Sequence, residues 1–412
     1  MFTNRFSLCV RLLKSNLDQK ATPTYLKKHN EALLLREIYA HQAVSRVKLA
    51  KLTKLSKPSV TELTQGLIEK GLIYEIGPEH VRDKVGKKPT LLALNSDAYQ
   101  MICVAIHHTT IVVSLLDLRV QVIEMERVPL NGLTGHDVVN LISEVIRRIL
   151  QKATRPILGI SVGTPGIIDV FSGVVHLTAN FGWQNLPLAQ ILSDQFQIPV
   201  YIGNDSNFAA MGEYRFGIAK GVSDLLVVEV GDGIGIGILD DGRIIHGSSY
   251  AAGELGHTPF PFLDDKCICG QCGCLETLVS WWGLKRHAES LLKQQSANKL
   301  REIVGDGVVS AESIQKAFEA GDSDIIALVD KAATYLGRAL VIVINLLNPN
   351  YVVLTGGLLA FGDRFIDVVR TTVHDHTLPY ITSRTQIVAE ALDDKSIMYG
   401  AGAFLLEREL GL

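Results

Sequence analysis

Four of the chain's six cysteines fall within eight residues, in the run Cys267-Ile-Cys269-Gly-Gln-Cys272-Gly-Cys274-Leu-Glu276, and Gly256-His257 lies ten residues upstream. A pair of disulfides is a poor reading of such close spacings in a cytosolic chain, so the run reads as a metal site beside two carboxylates. Three thiolates and one imidazole make a closed tetrahedral set, which suits structural zinc and leaves no open position for a reactive water. Count alone leaves the ligands open, because Cys267, Cys269, Cys272 and Cys274 could form an all-thiolate site; the set His257, Cys267, Cys269 and Cys274 is favoured. Either set would staple a loop.

At 412 residues the chain is too long for one ordinary core, and length suggests two to three domains. No stretch approaches the ~18 to 20 uninterrupted apolar residues that span a bilayer, and the first residues lack a signal-peptide core. The expected address is the cytoplasm, with no membrane insertion. The net charge of −3 conceals an asymmetry: residues 1–95 carry 17 Lys and Arg against 8 Asp and Glu, and residues 96–412 carry 23 against 35. A basic head on an acidic body points to nucleic acid at one end.

Residues 30–72 hold three helical patterns. Asn30 is a candidate cap for a helix with Leu34, Leu35, Ile38 and Tyr39 on its apolar face, and Ser45 for a short helix carrying Leu49 and Ala50. Ser56 and Pro58 open the third, which places Val60, Leu63, Leu67 and Ile68 on one stripe. Its other face offers Lys57, Ser59, Thr61, Glu62 and Gln65, the short polar groups a recognition helix presents to base edges; Lys48, Lys51, Lys54 and Lys57 suit phosphates. Two strand-like runs, 72–76 and 90–94, flank a basic tip containing Lys87 and Lys88. The pattern is a winged helix-turn-helix whose partner is a double-stranded DNA operator, with bases read from the third helix and the wing touching backbone or minor groove.

From residue 100 apolar strand-like runs alternate with amphipathic helices. Residues 101–106, 111–116 and 121–125 form a meander, a helix near 136–151 precedes a strand at 157–162, and further strands are expected at 200–202, 225–230, 235–239 and 351–354. Helices fill most of 276–347 and 363–374, and a closing helix near 396–409 is expected to return to the first lobe. Asn204 and Asp205 fall at a strand-to-helix boundary, where Asp205 could serve as an ordinary N-cap.

The string Gly-Glu254-Leu-Gly-His257-Thr followed by Cys-x-Cys-Gly-x-x-Gly-Cys-Leu-Glu276 resembles the signature of the ROK family, named for repressors, open reading frames and kinases. The resemblance extends to the head, through Leu-Ser-x-x-Ser-Val-Thr and Gly-Lys-Lys-Pro, and covers about residues 30–410. It implies an α/β chain: an N-terminal winged helix-turn-helix, then a two-lobed actin/hexokinase-like (ribonuclease H-like) ROK domain with a ligand cleft. The divisions implied are a tail at 1–24, the DNA-binding head at 25–95, a first lobe at 96–202 plus 391–412, and a second at 203–390 with the zinc loop at 257–274.

The resemblance also implies that His257 and the first, second and fourth cysteines, Cys267, Cys269 and Cys274, bind Zn2+, while Cys272 sits at a variable position. It implies that Asn204, Asp205, Glu254, His257 and Glu276 bind sugar hydroxyls, with Gly163–Gly166 and Thr178–Trp183 flooring the pocket. In the family's kinases the matching Asp is the general base.

Such kinases open their first lobe with Asp-x-Gly-Gly-Thr, where this chain has Ala105-Ile106-His107-His108-Thr109. The acid and both glycines are missing, which obstructs close approach of phosphates to the backbone. A second phosphate loop, residues 230–237, keeps its glycines but carries Asp232, and Gly356-Gly357 matches the adenosine side. The expectation is a repressor of carbohydrate genes, not an enzyme: a homodimer or homotetramer on a two-fold operator, released by a sugar or sugar-phosphate effector. A phosphotransferase-system protein is a further implied partner. The competing expectation is an ATP-dependent hexose or N-acetylhexosamine kinase using Asp205 as base.

Overall fold

The computed structural model describes residues 22–78, 89–390, 392 and 395–412. Its head opens with α1 (Pro23–His41), capped by Thr22, whose side chain accepts a hydrogen bond from the Tyr25 amide. Asn30, expected as this cap, lies inside the helix, because the Thr22-Pro23 pair already supplies a cap and a preset first turn. A two-residue strand, β1 (Val44–Ser45), leads into α2 (Arg46–Thr53), capped by Ser45, and then α3 (Lys57–Glu69), capped by Ser56. Leu34, Ile38, Leu49, Val60 and Leu67 pack together beneath them. The strands β2 (Ile73–Pro78) and β3 (Thr90–Leu94) pair antiparallel, with β1 on the outer edge of β3. Lys87 and Lys88, expected at the tip between β2 and β3, lie outside the described residues.

The first lobe begins with an antiparallel meander of β4 (Gln100–Ile106), β5 (Thr110–Asp117) and β6 (Val122–Pro129). Next comes α4 (Gly135–Leu150), which buries Val138, Ile142, Val145 and Ile149 on one face, and then β7 (Ile157–Thr164), parallel to β4. A small sheet of β8 (Ile167–Asp169), β9 (Val174–Thr178) and β10 (Trp183–Leu186) precedes α5 (Leu188–Phe196) and β11 (Val200–Asn204). The main sheet runs β11-β7-β4-β5-β6.

Between the lobes stands α6 (Asp205–Phe216). The second lobe repeats the first in plan: a meander of β12 (Leu225–Val230), β13 (Ile234–Asp240) and β14 (Arg243–Ile244), then added parallel strands. Its helices are α7 (Trp281–Lys293), α8 (Asn298–Val304), α9 (Ala311–Glu319) and the long α10 (Ser323–Leu347). They are followed by β15 (Tyr351–Thr355), α11 (Asp363–His376), α12 (Pro379–Thr382) and β16 (Gln386–Ala389). The order β14-β13-β12-β15-β16, with β12, β15 and β16 parallel, matches strand for strand the first sheet read from β6 to β11. The last helix, α13 (Ser396–Leu410), returns to pack on α6, β4 and β7.

Glycines let α6 approach both neighbours. A Cβ on Gly237 of β13 would collide with the Ser206 main-chain oxygen, and one on Gly400 of α13 with that of Phe208. The helix is thereby pinned to the second sheet on one side and to the closing helix on the other.

The end of α13 also meets the head. Arg36 of α1 donates to the main-chain oxygen of Gly411, Arg215 of α6 donates to that of Leu412 at 3.0 Å, and the Leu412 side chain is buried. Beside them Arg119 donates to the Tyr39 main-chain oxygen at 2.8 Å and lays its guanidinium over the Tyr39 ring.

Gly400→Ala is therefore expected to destabilise the body by roughly 2–4 kcal/mol, through forced separation of α6 and α13. Gly66→Ala, in α3 with open space around the new methyl group, is expected to stabilise the head by up to about 1 kcal/mol. Urea unfolding of both variants checks the opposite signs.

Candidate functional site

In each sheet the parallel strands point their carboxyl ends into the space between the lobes, where open α/β sheets place ligands. β4 delivers His107 and His108, β7 delivers Thr164 to Gly166, and β11 delivers Asn204 and Asp205. From the second lobe β12 delivers Gly231 to Gly233, and β15 delivers Gly356 and Gly357.

Asn204, and not Asp205, caps α6: its Oδ1 accepts from the Asn207 amide at 3.0 Å while its Nδ2 donates to the Gly166 carbonyl at 3.2 Å. Asp205 is the first helical residue, its Oδ1 accepting from the adjacent Ser206 amide. With the cap already filled, the Asp205 carboxylate is left to face the cleft. Burial pushes its carboxyl above the ordinary range, against the opposing pull of the Ser206 amide and His108.

Glu254 acts electrostatically on the same space, raised by burial and by Asp205 and Glu276, with His257 pulling it down. Behind them Glu229 on β12 is pushed up to about 8, by burial first and then by Asp205, Glu390 and Asp232. Five carboxyl groups, Asp205, Glu229, Asp232, Glu254 and Glu276, thus share one field.

His257 joins this cluster to the cysteine loop. Its Nδ1 stands 3.6 Å from Cys267 Sγ and 3.5 Å from Glu276 Oε1, and its Nε2 stands 3.9 Å from Glu254 Oε2. Cys269 and Cys274 bring their sulfurs to 3.6 Å, and one ligand atom from each of His257, Cys267, Cys269 and Cys274 falls within 4.8 Å of all the others. Sulfurs 3.6 Å apart are unbonded, and the four cysteines of the run are free. The spacing is close to the ~3.8 Å that separates tetrahedral sulfurs at a Zn–S distance of about 2.3 Å. Cys272 is exposed and stands outside this group.

The core holds only part of the loop: Leu263 is buried with Phe260 packed beside it, whereas Phe262 and Ile268 are 88% and 57% exposed. Its backbone is ordered by bridges from Pro259 to Cys274 and Lys266 to Cys272, and by turns at Gly270 and Gly273, both at positive φ. Burial raises the thiols of Cys267 and Cys274, the latter to about 11, and Cys267 donates to Glu276 at 2.9 Å. Thiols this reluctant to ionise beside a carboxylate become good ligands only when a cation displaces their protons.

Two other features differ from expectation. Of the glycine run 230–237, Gly235 and Gly237 belong to β13 and serve the contact with Ser206, so only residues 231–233 form a turn into the cleft. The turn after β4 is filled by imidazoles. His108 Nδ1 meets Asn180 Nδ2 at 2.5 Å, while His107 is lowered to about 4, by burial first and then by Arg127 and His108. Sequence reasoning treated this pair only as a departure from a glycine pattern and missed its link to Asn180. It also missed Glu229, near the end of β12, on which the charge of Asp205 acts.

On the head, Lys48, Lys51, Lys54, Lys57, Thr61, Glu62 and Gln65 are exposed, and Ser59 is half-buried. Ser59 Oγ bonds Ser56 Oγ, Thr61 Oγ1 donates to the Lys57 carbonyl, and Gln65 reaches Glu69, so the hydroxyls are held locally while the charged groups face solvent. Arg46, unremarked in the sequence, fixes the angle of α3 by donating to Thr64 at 2.9 Å and Glu75 at 2.8 Å.

Glu229 supplies a pH test. Its folded value near 8 exceeds the unfolded value near 4.5, so the folded state holds the extra proton between them and stability falls as pH rises through that window. Glu229→Gln is expected to raise the melting temperature at pH 8.5 by about 3 °C or more, with a smaller change at pH 5. Thermal melts across pH 5–9 check it.

The ROK family profile matches residues 101–408, and the MarR family profile matches residues 28–76. A xylose repressor of Caldicellulosiruptor bescii is 32% identical over 387 residues, covering 93% of this chain and 96% of its own. A glucokinase of Halalkalibacterium halodurans is 30% identical over 307 residues, covering 73% of this chain and 93% of its own. The crystal structure of a ROK family transcriptional regulator, a homologue of the E. coli MLC protein, superposes with a TM-score of 0.82 at 24% identity, covering 93% of this chain and 98% of that one. The repressor and the regulator align along head and body together, and the chain belongs to the ROK family.

Proposed function

We propose that the protein is a sugar-responsive transcriptional repressor of carbohydrate uptake or catabolism genes, acting in the cytoplasm as a homo-oligomer on a two-fold DNA operator. The observation that carries this reading is the joining of two parts in one chain. A basic winged helix-turn-helix exposes Lys48, Lys54 and Lys57 beside the polar face of α3. The body carries Asn204 and Asp205 at the end of β11 and Glu254, His257 and Glu276 in the loops of the second lobe, where Asp205 and Glu276 act on the charge of Glu254, and it has imidazoles where the family's kinases keep glycines. On this reading the sugar hydroxyls are bound by those five residues, Thr61, Glu62 and Gln65 read bases with Ser59 alongside, and Lys87 and Lys88 extend the contact from the wing. The nucleotide site is degenerate.

The metal, on the same proposal, is a structural zinc held by His257, Cys267, Cys269 and Cys274. When bound it supplies a rigid closure for the loop, whose Phe262 and Ile268 stand outside the core. His257 then presents Nε2 to the sugar from the edge that faces Glu254, while Nδ1 lies on the cysteine side.

A ligand between the lobes releases DNA only if it binds the DNA-incompetent arrangement more tightly, a coupling typically worth about 1–3 kcal/mol. The covalent route for that coupling is α6, which starts at the ligand residues and ends at Arg215, against the same chain segment that Arg36 of the head grips.

A second reading keeps phosphoryl transfer. The raised carboxyl of Asp205 is that of a group suited to accept a hydroxyl proton, and a glucokinase is among the relatives. One experiment separates the two: capture of genomic fragments by the zinc-replete protein at moderate salt, with and without added sugars, alongside an assay for sugar-dependent ADP formation. Recovery of a few defined fragments, released by a sugar and without ADP formation, is the expected result. ADP formation lost in Asp205→Asn would establish the kinase instead. Cys274→Ser is expected to lose bound zinc, lower the melting temperature by about 5 °C or more and weaken the sugar response together, as read by zinc release, calorimetry and operator binding.

A further inference from the structure

His108 is the residue of the cleft that the sugar-sensor reading leaves without a task. It is the middle residue of the turn between β4 and β5, at a position where the Asp-x-Gly-Gly-Thr pattern has glycine, and its imidazole stands in the room that a glycine would leave open. The ring is held from one side. Its Nδ1 meets the Asn180 amide at 2.5 Å, and Asn180 lies in the turn between β9 and β10, on the expected floor of the sugar pocket. Its Nε2 has no hydrogen-bond partner closer than 3.4 Å among the described residues, and that one is the same amide.

The other edge faces the ligand groups. A Cβ on Gly233 would lie 3.9 Å from His108 Nε2 and 3.3 Å from Glu276 Oε2, so the imidazole edge and that carboxylate flank one small space. His108 also acts directly on the charge of Asp205.

We propose that His108 is a sugar-binding residue, and that with the carboxylates facing it His108 selects an unphosphorylated pyranose over the corresponding sugar phosphate. The proposal rests on the sugar-sensor reading and names the class of its effector. A sugar hydroxyl beside Asp205 finds a carboxylate to accept its proton and, in Nε2, the ring nitrogen left to donate when Asn180 Nδ2 donates to Nδ1.

A phosphate ester at that hydroxyl meets a different environment. It needs the volume the imidazole occupies, and it enters the field of Asp205, Asp232, Glu254 and Glu276. The guanidinium of Arg127 acts from β6 on His107, the neighbouring ring. Buried anions placed together repel strongly, and a phosphate site ordinarily supplies backbone amides on glycines or a fork of guanidinium donors. The turn here offers a side chain instead.

The test is isothermal titration calorimetry of the full-length, zinc-replete protein with D-xylose, D-glucose and N-acetyl-D-glucosamine, and with the 6-phosphates of the two hexoses. The wild type, His108→Ala and His108→Gln are compared. The expected result is binding of a neutral sugar to the wild type, a loss of at least tenfold in His108→Ala, partial recovery in His108→Gln, and at least tenfold weaker binding of the phosphate esters. Equal sugar affinity in the wild type and His108→Ala would overturn the role of His108. Tighter binding of a 6-phosphate than of its parent sugar would overturn the selection and leave the sugar sensor standing. Failure of both series to bind the wild type would remove the sugar reading itself. Should His108→Ala not fold, the ranking of sugar against phosphate in the wild type still decides the effector class, and His108→Gln the residue.

Discussion

The close seating of α6 between β13 and α13 is the constraint on which the rest of the molecule depends. The helix touches the second sheet through Ser206 over Gly235 and Gly237, and the closing helix through Phe208 against Gly400 and Gly212 against Ser396. At Gly237, Gly400 and Gly212 the nearest atoms are main-chain oxygens, at Gly235 the Ser206 hydroxyl, and packed interiors transmit strain rather than dissipate it. One end of the helix carries Asn204 and Asp205 and the other carries Arg215. A ligand that moves the first residues of α6 against either lobe therefore moves a rigid body.

That geometry explains why the head is fastened where it is. Arg36 and Ala32 of α1 sit against Gly411, which has positive φ, and Arg215 grips Leu412 next to it. Arg119 adds a second tie, to the main-chain oxygen of Tyr39. The Arg36 and Arg215 bonds end on main-chain oxygens of the short segment after α13, so a small rotation of α13 changes where they point, while the Arg119 bond ends on the last turn of α1. Two-state coupling between sites needs contacts that differ between states, and these few charged hydrogen bonds are suited to differ.

Much of the fold was legible in the sequence because its signals are local and redundant. Ser45 and Ser56 cap the helices their positions suggested, Val60, Leu63 and Leu67 face the core, and the meander from 100 to 129 follows from apolar runs separated by short polar turns. The errors lie where one local signal masks another. Thr22-Pro23 starts α1 before Asn30, and Asn204 takes the cap that Asp205 also could have filled. Glycines at 235 and 237 imitate a phosphate loop, though what they accommodate is a helix. The repeat of strand order between the two lobes is a property of pairing, which no local pattern announces.

The candidate site was legible by a different route, since its residues are far apart in the chain and meet only through topology. Glu254, His257 and Glu276 could be tied together because the cysteine loop joins them in one run, and they fall around one histidine ring. His108, Asn180 and Glu229 belong to three separate strand ends and carry no common motif. His108 and Glu229 share the cleft because parallel strands ordered β11-β7-β4 and β12-β15 must end on one side of each sheet, and Asn180 reaches His108 from the turn of the small antiparallel sheet. Residues at such ends are free to vary without cost to the core. A substitution there, such as imidazole for glycine after β4, therefore changes what the cleft can bind while leaving the two lobes and their shared helix as they are.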